Sequence, residues 1–172
     1  MKIKLRILLL IAFLVKAGSL SAQNVDYAVH ANIIYRFTKY VEWPAEAKPG
    51  EFVIGCIGDS PLFDLLLVST QNKTAKGRKI IIKKFTGTEP SYSCEILIIS
   101  EEESRWLKRI VAVTLHSPVL IVTESEGLVR KGSCINFLVE DDHLTLEFNK
   151  HNLEERKLNV ASELMSFGKV ID

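Results

Sequence analysis

Four short apolar segments constrain the fold of this chain more than any other feature. They are residues 52–57, 80–82, 94–99 and 118–122. Runs with so little polar alternation are typical of strands that are covered on both faces, as in parallel sheets. Helical patterns follow the first and third of them, at 60–70 and 100–115. The order strand, helix, strand, strand, helix, strand predicts a mostly parallel sheet with helices on both faces.

A further helix is expected before the first strand. Residues 25–42 repeat apolar and aromatic side chains at intervals of three and four, and Asn24 is a candidate N-cap. Trp43-Pro44 should end this helix, because the residue before a proline is driven out of the helical region.

The two later helices carry their own start signals. Ser60 is a candidate N-cap and Pro61 suits the first helical position. We expect the buried side of this helix to consist of Leu62, Leu65, Leu66 and Val68. Ser100 and Glu103 have the spacing of a capping box for the next helix.

The last third of the chain has a different pattern. Residues 133–139 and 143–148 alternate apolar and polar side chains and predict a β-hairpin joined by 140–142. A charged helical turn is expected around 153–156, and a short closing helix at 163–170. The predicted fold is therefore a single α/β domain over residues 23–172, with a mixed, mostly parallel sheet flanked by helices on both faces and a C-terminal β-hairpin.

The N-terminus has the pattern of a cleavable signal peptide over residues 1–22. Three cationic residues (Lys2, Lys4, Arg6) precede an apolar run at 7–15, and small residues follow at 17–22. The run is shorter than the roughly 20 apolar residues that span a bilayer, although an uncleaved anchor is the alternative. We expect cleavage after Ser21 or Ala22 and a protein located outside the cytosol.

Charge excludes several classes of function. Cleavage would remove four cationic residues and change the formal net charge from +1 to −3. A negative domain of this kind does not favour nucleic acid or an anionic membrane surface, and no second apolar stretch predicts membrane insertion. Gly55 and Gly58 lack the third glycine of a dinucleotide fingerprint, and no Cys or His pair has the close spacing of a zinc site. We therefore expect no cofactor and no metal.

Three cysteines remain after cleavage, Cys56, Cys94 and Cys134. Cys56 and Cys94 lie on strands of the same predicted sheet, and a bridge between them would close a loop of about 40 residues, contributing roughly 3–4 kcal/mol. Two buried thiols are the alternative. Cys134 has no spare partner, so we interpret it as a buried thiol rather than a redox switch or an intermolecular link.

One motif raises an enzymatic alternative. Gly58-Asp59-Ser60 follows a strand, as the nucleophile of GDSL-type esterases does, and Glu140 and His143 have the spacing of an acid and a base. The other oxyanion-hole blocks of such enzymes are missing from the sequence, and a nucleophile without them loses most of its rate advantage. A helix cap explains Ser60 fully, so we predict a protein without catalytic residues.

Several motifs together resemble one known family. They are Ala31, Phe37 and Trp43-Pro44 in the first helix, Gly55 and Gly58 on the next strand, Cys94–Ser100, Val119–Thr123 with Gly127, Gly132 with Ile135 and Phe137, Phe148-Asn149, and Val160–Leu164. Each motif is weak alone. In this order and spacing, across about 140 residues, they resemble the YfiR/HmsC-like periplasmic proteins.

The resemblance implies regulation rather than catalysis. Members like YfiR repress an inner-membrane diguanylate cyclase, and envelope stress or a redox change relieves the block, which raises cyclic di-GMP and favours biofilm. The family's disulfide maps onto Cys56 and Cys94. This chain departs from the pattern at Lys131, which replaces a glycine, and at Cys134, which lacks the partner used for a second bridge in some members.

The first helix also carries more aromatic residues than one buried face easily uses, namely Tyr35, Phe37, Tyr40 and Trp43. We expect part of this set to serve a homodimer or a contact with the membrane partner, and an aromatic stripe buried against the sheet is the alternative. A second functional hypothesis is a periplasmic module that binds a small ligand and acts on another membrane sensor, such as a histidine kinase.

Overall fold

The computed structural model describes residues 26–44, 50–140 and 143–171, and the predicted signal peptide and its cleavage site lie outside them. The described helices are α1 (Tyr27–Tyr40), α2 (Pro61–Thr70), α3 (Leu107–Thr114), α4 (Lys150–Glu155) and α5 (Ser162–Met165), with 3-10 turns at Glu101–Trp106 and Leu128–Lys131. The strands are β1 (Val41–Glu42), β2 (Phe52–Ile57), β3 (Thr74–Ala75), β4 (Arg78–Phe85), β5 (Ile96–Ile99), β6 (Leu120–Thr123), β7 (Ile135–Glu140), β8 (His143–Asn149), β9 (Asn159–Val160) and β10 (Gly168–Ile171).

Eight of these strands form one mixed sheet in the order β10-β8-β7-β6-β5-β2-β4-β3. Five neighbouring strands in this order, β7, β6, β5, β2 and β4, run parallel to one another. β7 and β8 form the predicted antiparallel hairpin. β1 and β9 make a separate two-stranded pair. The predicted fold class, a mostly parallel sheet between helices with a C-terminal hairpin, is confirmed.

The centre of the sheet is fully buried. All residues of β5 and β6 are inaccessible to solvent, as their unbroken apolar sequences require for strands covered on both faces. Helices α1 and α2 pack against each other, and α1 reaches the sheet through Ile34 and Phe37. Arg156, just after α4, donates hydrogen bonds to the carbonyl oxygen and Oγ1 of Thr114 at the end of α3 and so ties these two helices together.

The predicted limits of the first helix need correction. The Asp26 carboxylate caps α1 by accepting hydrogen bonds from the amides of Ala28 and Val29, whereas the predicted cap Asn24 lies outside the described residues. The helix ends at Tyr40, before the Trp43-Pro44 signal, because the next two residues pair with β9. Val41 is opposite Val160, a partner far along the chain that local spacing does not indicate.

The buried face of α2 also differs from the prediction. Leu62 and Leu66 are buried as expected and Leu65 is partly buried, but Val68 is 73% exposed. The third member of the buried row is Thr70, which continues the interval of four residues from Leu62 and Leu66. Its hydroxyl donates to the carbonyl of Leu66, so a polar side chain is accommodated there without an unpaired donor.

The expected closing helix is half helix and half strand. Ser162–Met165 is helical, but Gly168–Ile171 forms β10, which runs parallel to β8 at the edge of the sheet. Gly168 suits this position, because a Cβ there would lie 2.3 Å from the carbonyl oxygen of Leu146.

Candidate functional site

Polar side chains gather at the carboxyl edge of the parallel strands. β2 pairs with β4 on one side and with β5 on the other, so the chain changes direction across the sheet at β2. In open α/β sheets, ligands bind outside the carboxyl ends of the strands at such a switch point. Gly58, Ser100 and Glu124 directly follow β2, β5 and β6 and therefore lie along this edge.

A buried histidine–glutamate pair lies at the centre of the edge. The Nδ1 atom of His30, from α1, is 3.1 Å from Oε1 of Glu124, and the two side chains are only 4% and 9% exposed. The His30 ring stacks on Phe137 of β7 at 4.4 Å between centroids. Burying two ionisable groups carries a desolvation cost that a hydrophobic pair would avoid, and the contact between His30 and Glu124 offsets part of it.

Two serine hydroxyls beside this pair have no hydrogen-bond partner among the described residues: Ser100 Oγ and Ser125 Oγ, both fully shielded from solvent. Ser100 was expected to form a capping box with Glu103. Instead the residues after Ser100 form a 3-10 turn, its side chain makes no cap hydrogen bond, and only its backbone carbonyl accepts from the Glu103 amide. The capping-box prediction was wrong.

Gly58 makes this arrangement of Ser100 feasible. Its φ of +97° lies in the region that favours glycine, and a Cβ there would lie 2.0 Å from Ser100 Oγ. The side chain of Ser100 therefore occupies space that only a glycine at position 58 leaves open. A narrow crevice beside it is lined by Ser100, Cys56, Ser60 and Glu124.

A larger cavity of about 290 Å³ opens on the other side of Glu124. Its polar lining comes from His30, Glu124 and Ser125, with the exposed carboxylates of Glu101 and Glu126 at its margin. Its apolar lining consists of Tyr27, Phe137, Leu138 and Val139. We take this carboxyl-edge cavity as the candidate functional site.

The opposite edge of the sheet is also polar, but its groups satisfy one another. Glu95 is 6% exposed and accepts hydrogen bonds from Arg78 Nη2 and from the Val53 amide, both at 2.7 Å. These contacts join β4, β2 and β5 at their amino ends. The buried Glu95 therefore has a structural role.

The structure separates the residues of the esterase alternative. Ser60 Oγ accepts a hydrogen bond from the Leu62 amide at 3.2 Å, as expected for a helix cap. Glu140 and His143 face each other across the β7–β8 hairpin, and Glu140 binds Lys169. Four strand spacings separate β2 from β8, roughly 19 Å, which is too far for a base to reach the Ser60 hydroxyl.

The strand register does not support the predicted Cys56–Cys94 bridge. Cys56 lies beside Ile98 on β5, four residues beyond Cys94. Cys94 lies two residues before β5 begins, whereas Cys56 is opposite the third residue of β5. The Cα atoms of a disulfide lie about 4.4–6.8 Å apart, which this register does not favour. No disulfide joins the two residues in the structure. The two strands are neighbours as expected, but the cysteines lie at opposite ends of the pair.

The thiols of Cys56 and Cys134 are both buried. Burial raises the pKa of Cys56 to about 12, reinforced by the nearby Glu124 and opposed by Lys84. Burial raises the pKa of Cys134 to about 11, and Arg156 opposes the shift. The buried position of Cys134 is as expected. Because the thiolate is the reactive form, neither group has the environment of a reactive thiol.

The four aromatic residues of the expected contact surface do not form one exposed patch. Phe37 is completely buried against Phe137, which corrects its assignment to a contact surface. Trp43 is partly buried, stacks edge-on against Phe52 and donates from Nε1 to the carbonyl of Glu95, so it links the segment after β1 to the residue before β5. Tyr35 is half-buried beneath Lys39 and Lys73, and Tyr40 is 38% exposed.

Fold and site together define an α/β domain with a polar cavity at the switch edge of its sheet. A family model described as YfiR/HmsC-like matches residues 27–169, so the chain belongs to the YfiR/HmsC-like family. No curated protein matches the chain significantly. At the level of the family, the match supports a periplasmic regulator of cyclic di-GMP signalling that acts with a membrane signalling protein.

Two further findings concern membrane spans and metal binding. No helix in the described part of the chain is long and apolar enough to cross a membrane. The described residues also contain no group of three His, Cys, Asp or Glu side chains arranged to hold a metal ion.

Sequence reasoning did not find the central pair of the site. His30 lies on the buried side of α1 and Glu124 directly follows a strand, but 94 residues separate them in the chain. The one usable signal was the position of Glu124 after an apolar strand, where parallel sheets place functional groups.

Proposed function

We propose that this protein is a non-enzymatic periplasmic repressor that holds an inner-membrane diguanylate cyclase inactive. The observation that carries the proposal is the family match over residues 27–169, which spans every described helix and all but the end of β10. The helix-cap role of Ser60 and its distance from His143 count against the esterase alternative.

The test is a capture experiment combined with a measurement of cyclic di-GMP. The tagged protein is recovered from membranes with and without reductant, and bound proteins are identified by mass spectrometry. We expect a membrane protein with a diguanylate cyclase domain among them, and a fall in cellular cyclic di-GMP when this protein is co-expressed with that cyclase. Failure to capture a cyclase under either condition, with cyclic di-GMP unchanged, would contradict the proposal.

A second candidate function is favoured by the carboxyl-edge cavity. The cavity, of about 290 Å³, combines an apolar wall with a few polar side chains, among them His30 and Glu124, as small-molecule sites do. The alternative is a periplasmic module that binds a small ligand and acts on another membrane sensor. Neighbouring genes separate the two: an adjacent cyclase gene favours repression, and an adjacent histidine kinase gene favours the alternative.

We also propose that the protein forms a homodimer through α1 and α2. These helices pack side by side, and between them they expose Tyr40, Leu67 and Val68, at 38%, 44% and 73%. Exposed apolar residues on neighbouring elements are typical of protein interfaces. A second copy of the same surface would cover these side chains, and burial of Phe37 leaves Tyr40 as the α1 aromatic most open to such a contact.

A further inference from the structure

We propose that the carboxyl-edge cavity binds a small organic ammonium compound with an apolar body, an aromatic or branched amine. The inference rests on the ligand-binding function proposed above and is independent of cyclase repression. It names the chemical class of the ligand and the groups that would recognise it.

The charge of the lining selects against anions. Three carboxylates, those of Glu101, Glu124 and Glu126, face one histidine, and the lining contains no lysine or arginine from the described residues. Even with His30 protonated, two negative charges remain uncompensated. Phosphates, nucleotides and carboxylates would meet repulsion, whereas a cation would be attracted.

The hydroxyl groups indicate a ligand that donates hydrogen bonds. Ser125 is a lining residue of the cavity and Ser100 lies in the crevice on the other side of Glu124, and the shielded Oγ of each has no hydrogen-bond partner among the described residues. An ammonium group has three N–H donors and needs several acceptors around it. The Glu124 carboxylate offers such acceptors in the cavity lining, and the shielded Ser125 hydroxyl next to it would become a further acceptor if its side chain rotated toward the ligand.

The apolar wall distinguishes an organic cation from a metal ion. Phe137, Leu138, Val139 and Tyr27 line the cavity with ring and hydrocarbon surface. The described residues hold no metal-binding group of three His, Cys, Asp or Glu side chains. A pocket with a carboxylate at one end and an aromatic wall at the other matches an amine carried on an apolar body.

The test uses three probes of similar shape that differ in charge: 2-phenylethylamine, 2-phenylethanol and phenylacetate. Binding of each to the purified protein is measured by isothermal titration calorimetry. We expect the amine to bind at least about tenfold more tightly than the alcohol, since a charge-assisted hydrogen bond is lost in the alcohol. Phenylacetate should not bind.

Variants then locate the binding to this cavity. Glu124→Gln should weaken amine binding by about tenfold or more, with circular dichroism as the check on its fold. Glu126→Gln changes an exposed residue at the margin and should weaken binding without disturbing the core. Glu163→Gln, an exposed glutamate on α5 away from the cavity, is the matched control and should bind as the unchanged protein does.

Three outcomes would overturn the inference: no binding of the amine, equal binding of phenylacetate, or unchanged binding in both Glu124→Gln and Glu126→Gln. None of these would affect the proposal of cyclase repression, which is tested by capture and by cyclic di-GMP. Conversely, amine binding with no captured cyclase would leave the ligand site established and the repressor proposal refuted.

Discussion

At the scale of single residues, Gly58 and Ser100 form the closest link between the ends of β2 and β5. The glycine supplies a positive φ, and the absence of a Cβ leaves room for the serine hydroxyl. Neither property was evident from sequence. Gly58 belongs to three weak motifs in the sequence, none of which indicates a positive φ. Ser100 has the sequence pattern of a helix cap, and a serine packed against a glycine has no sequence pattern that distinguishes it from one.

Gly58→Ala should destabilise the protein by about 2–4 kcal/mol, because it adds backbone strain at positive φ to a steric clash with Ser100. Urea unfolding followed by circular dichroism measures the change. Gly77→Ala is the matched control, since Gly77 has a φ of +76° but nothing within 4 Å of its Cβ position. It should cost only about 1–2 kcal/mol. Equal losses in the two variants would show that Ser100 does not restrict position 58.

The cysteines give a second prediction at this scale. With Cys56 and Cys94 at opposite ends of the β2–β5 pair, adding reductant should leave the melting temperature within about 1 °C of its value without reductant. A bridge closing about 40 residues would contribute about 3–4 kcal/mol, so its reduction would lower the melting temperature by about 10 °C. A loss of that size would contradict the register described here. Cys56 should also be alkylated in denaturant without reductant.

At the scale of elements, the sequence predicts those helices and strands whose formation depends on residues nearby in the chain. The buried strands β2, β5 and β6 were indicated by unbroken apolar runs, and α2 by Ser60 and Pro61 at its start. These signals are local, so they do not need the rest of the fold to be interpreted.

The elements that were predicted wrongly depend on distant partners. Residues 168–171 have apolar spacing compatible with a helix, but their position beside β8 makes them a strand. Val41 and Glu42 continue a helical sequence pattern, but their backbone pairs with β9, so they form a strand. Tertiary pairing overrides weak local preference in both cases.

The proposed homodimer interface lies on α1 and α2, and a double substitution on α2 tests it. Leu67→Lys with Val68→Lys places two charges on the proposed interface, so we expect a dimer to become a monomer in sedimentation velocity experiments. Phe167→Lys is the control, because Phe167 is 69% exposed but lies between α5 and β10, away from α2. If the unchanged protein sediments as a monomer, or the double variant stays dimeric, the proposed interface is wrong.

At the scale of the whole molecule, the site is assembled from segments that are far apart in the chain. His30 comes from the first helix, Glu124 follows β6 and Phe137 belongs to β7. The switch edge could be expected from the strand order, but the side chains that meet there could not, because their contact requires the complete sheet.

The proposed location also concerns the whole chain. We expect deletion of residues 2–22 to retain the protein in the cytoplasm and to abolish any effect on cyclic di-GMP, because the deletion removes the predicted signal peptide. Cell fractionation with immunoblotting locates the protein, and the mature sequence fused to an unrelated signal peptide should restore both properties. Export of the deleted form would show that the signal lies elsewhere.

The pairing of β1 with β9 has a consequence for the order in which the chain folds. Val41 meets Val160, and the amide of Ala161 donates to the carbonyl of Tyr40 at the end of α1. The end of α1, the first described helix, is thus held by residues that come much later in the chain. During biosynthesis or passage through a channel, α1 must remain without these contacts until residues 159–161 have emerged. Its apolar face is exposed throughout that interval, which makes the nascent form, rather than the finished domain, the stage that most needs a chaperone.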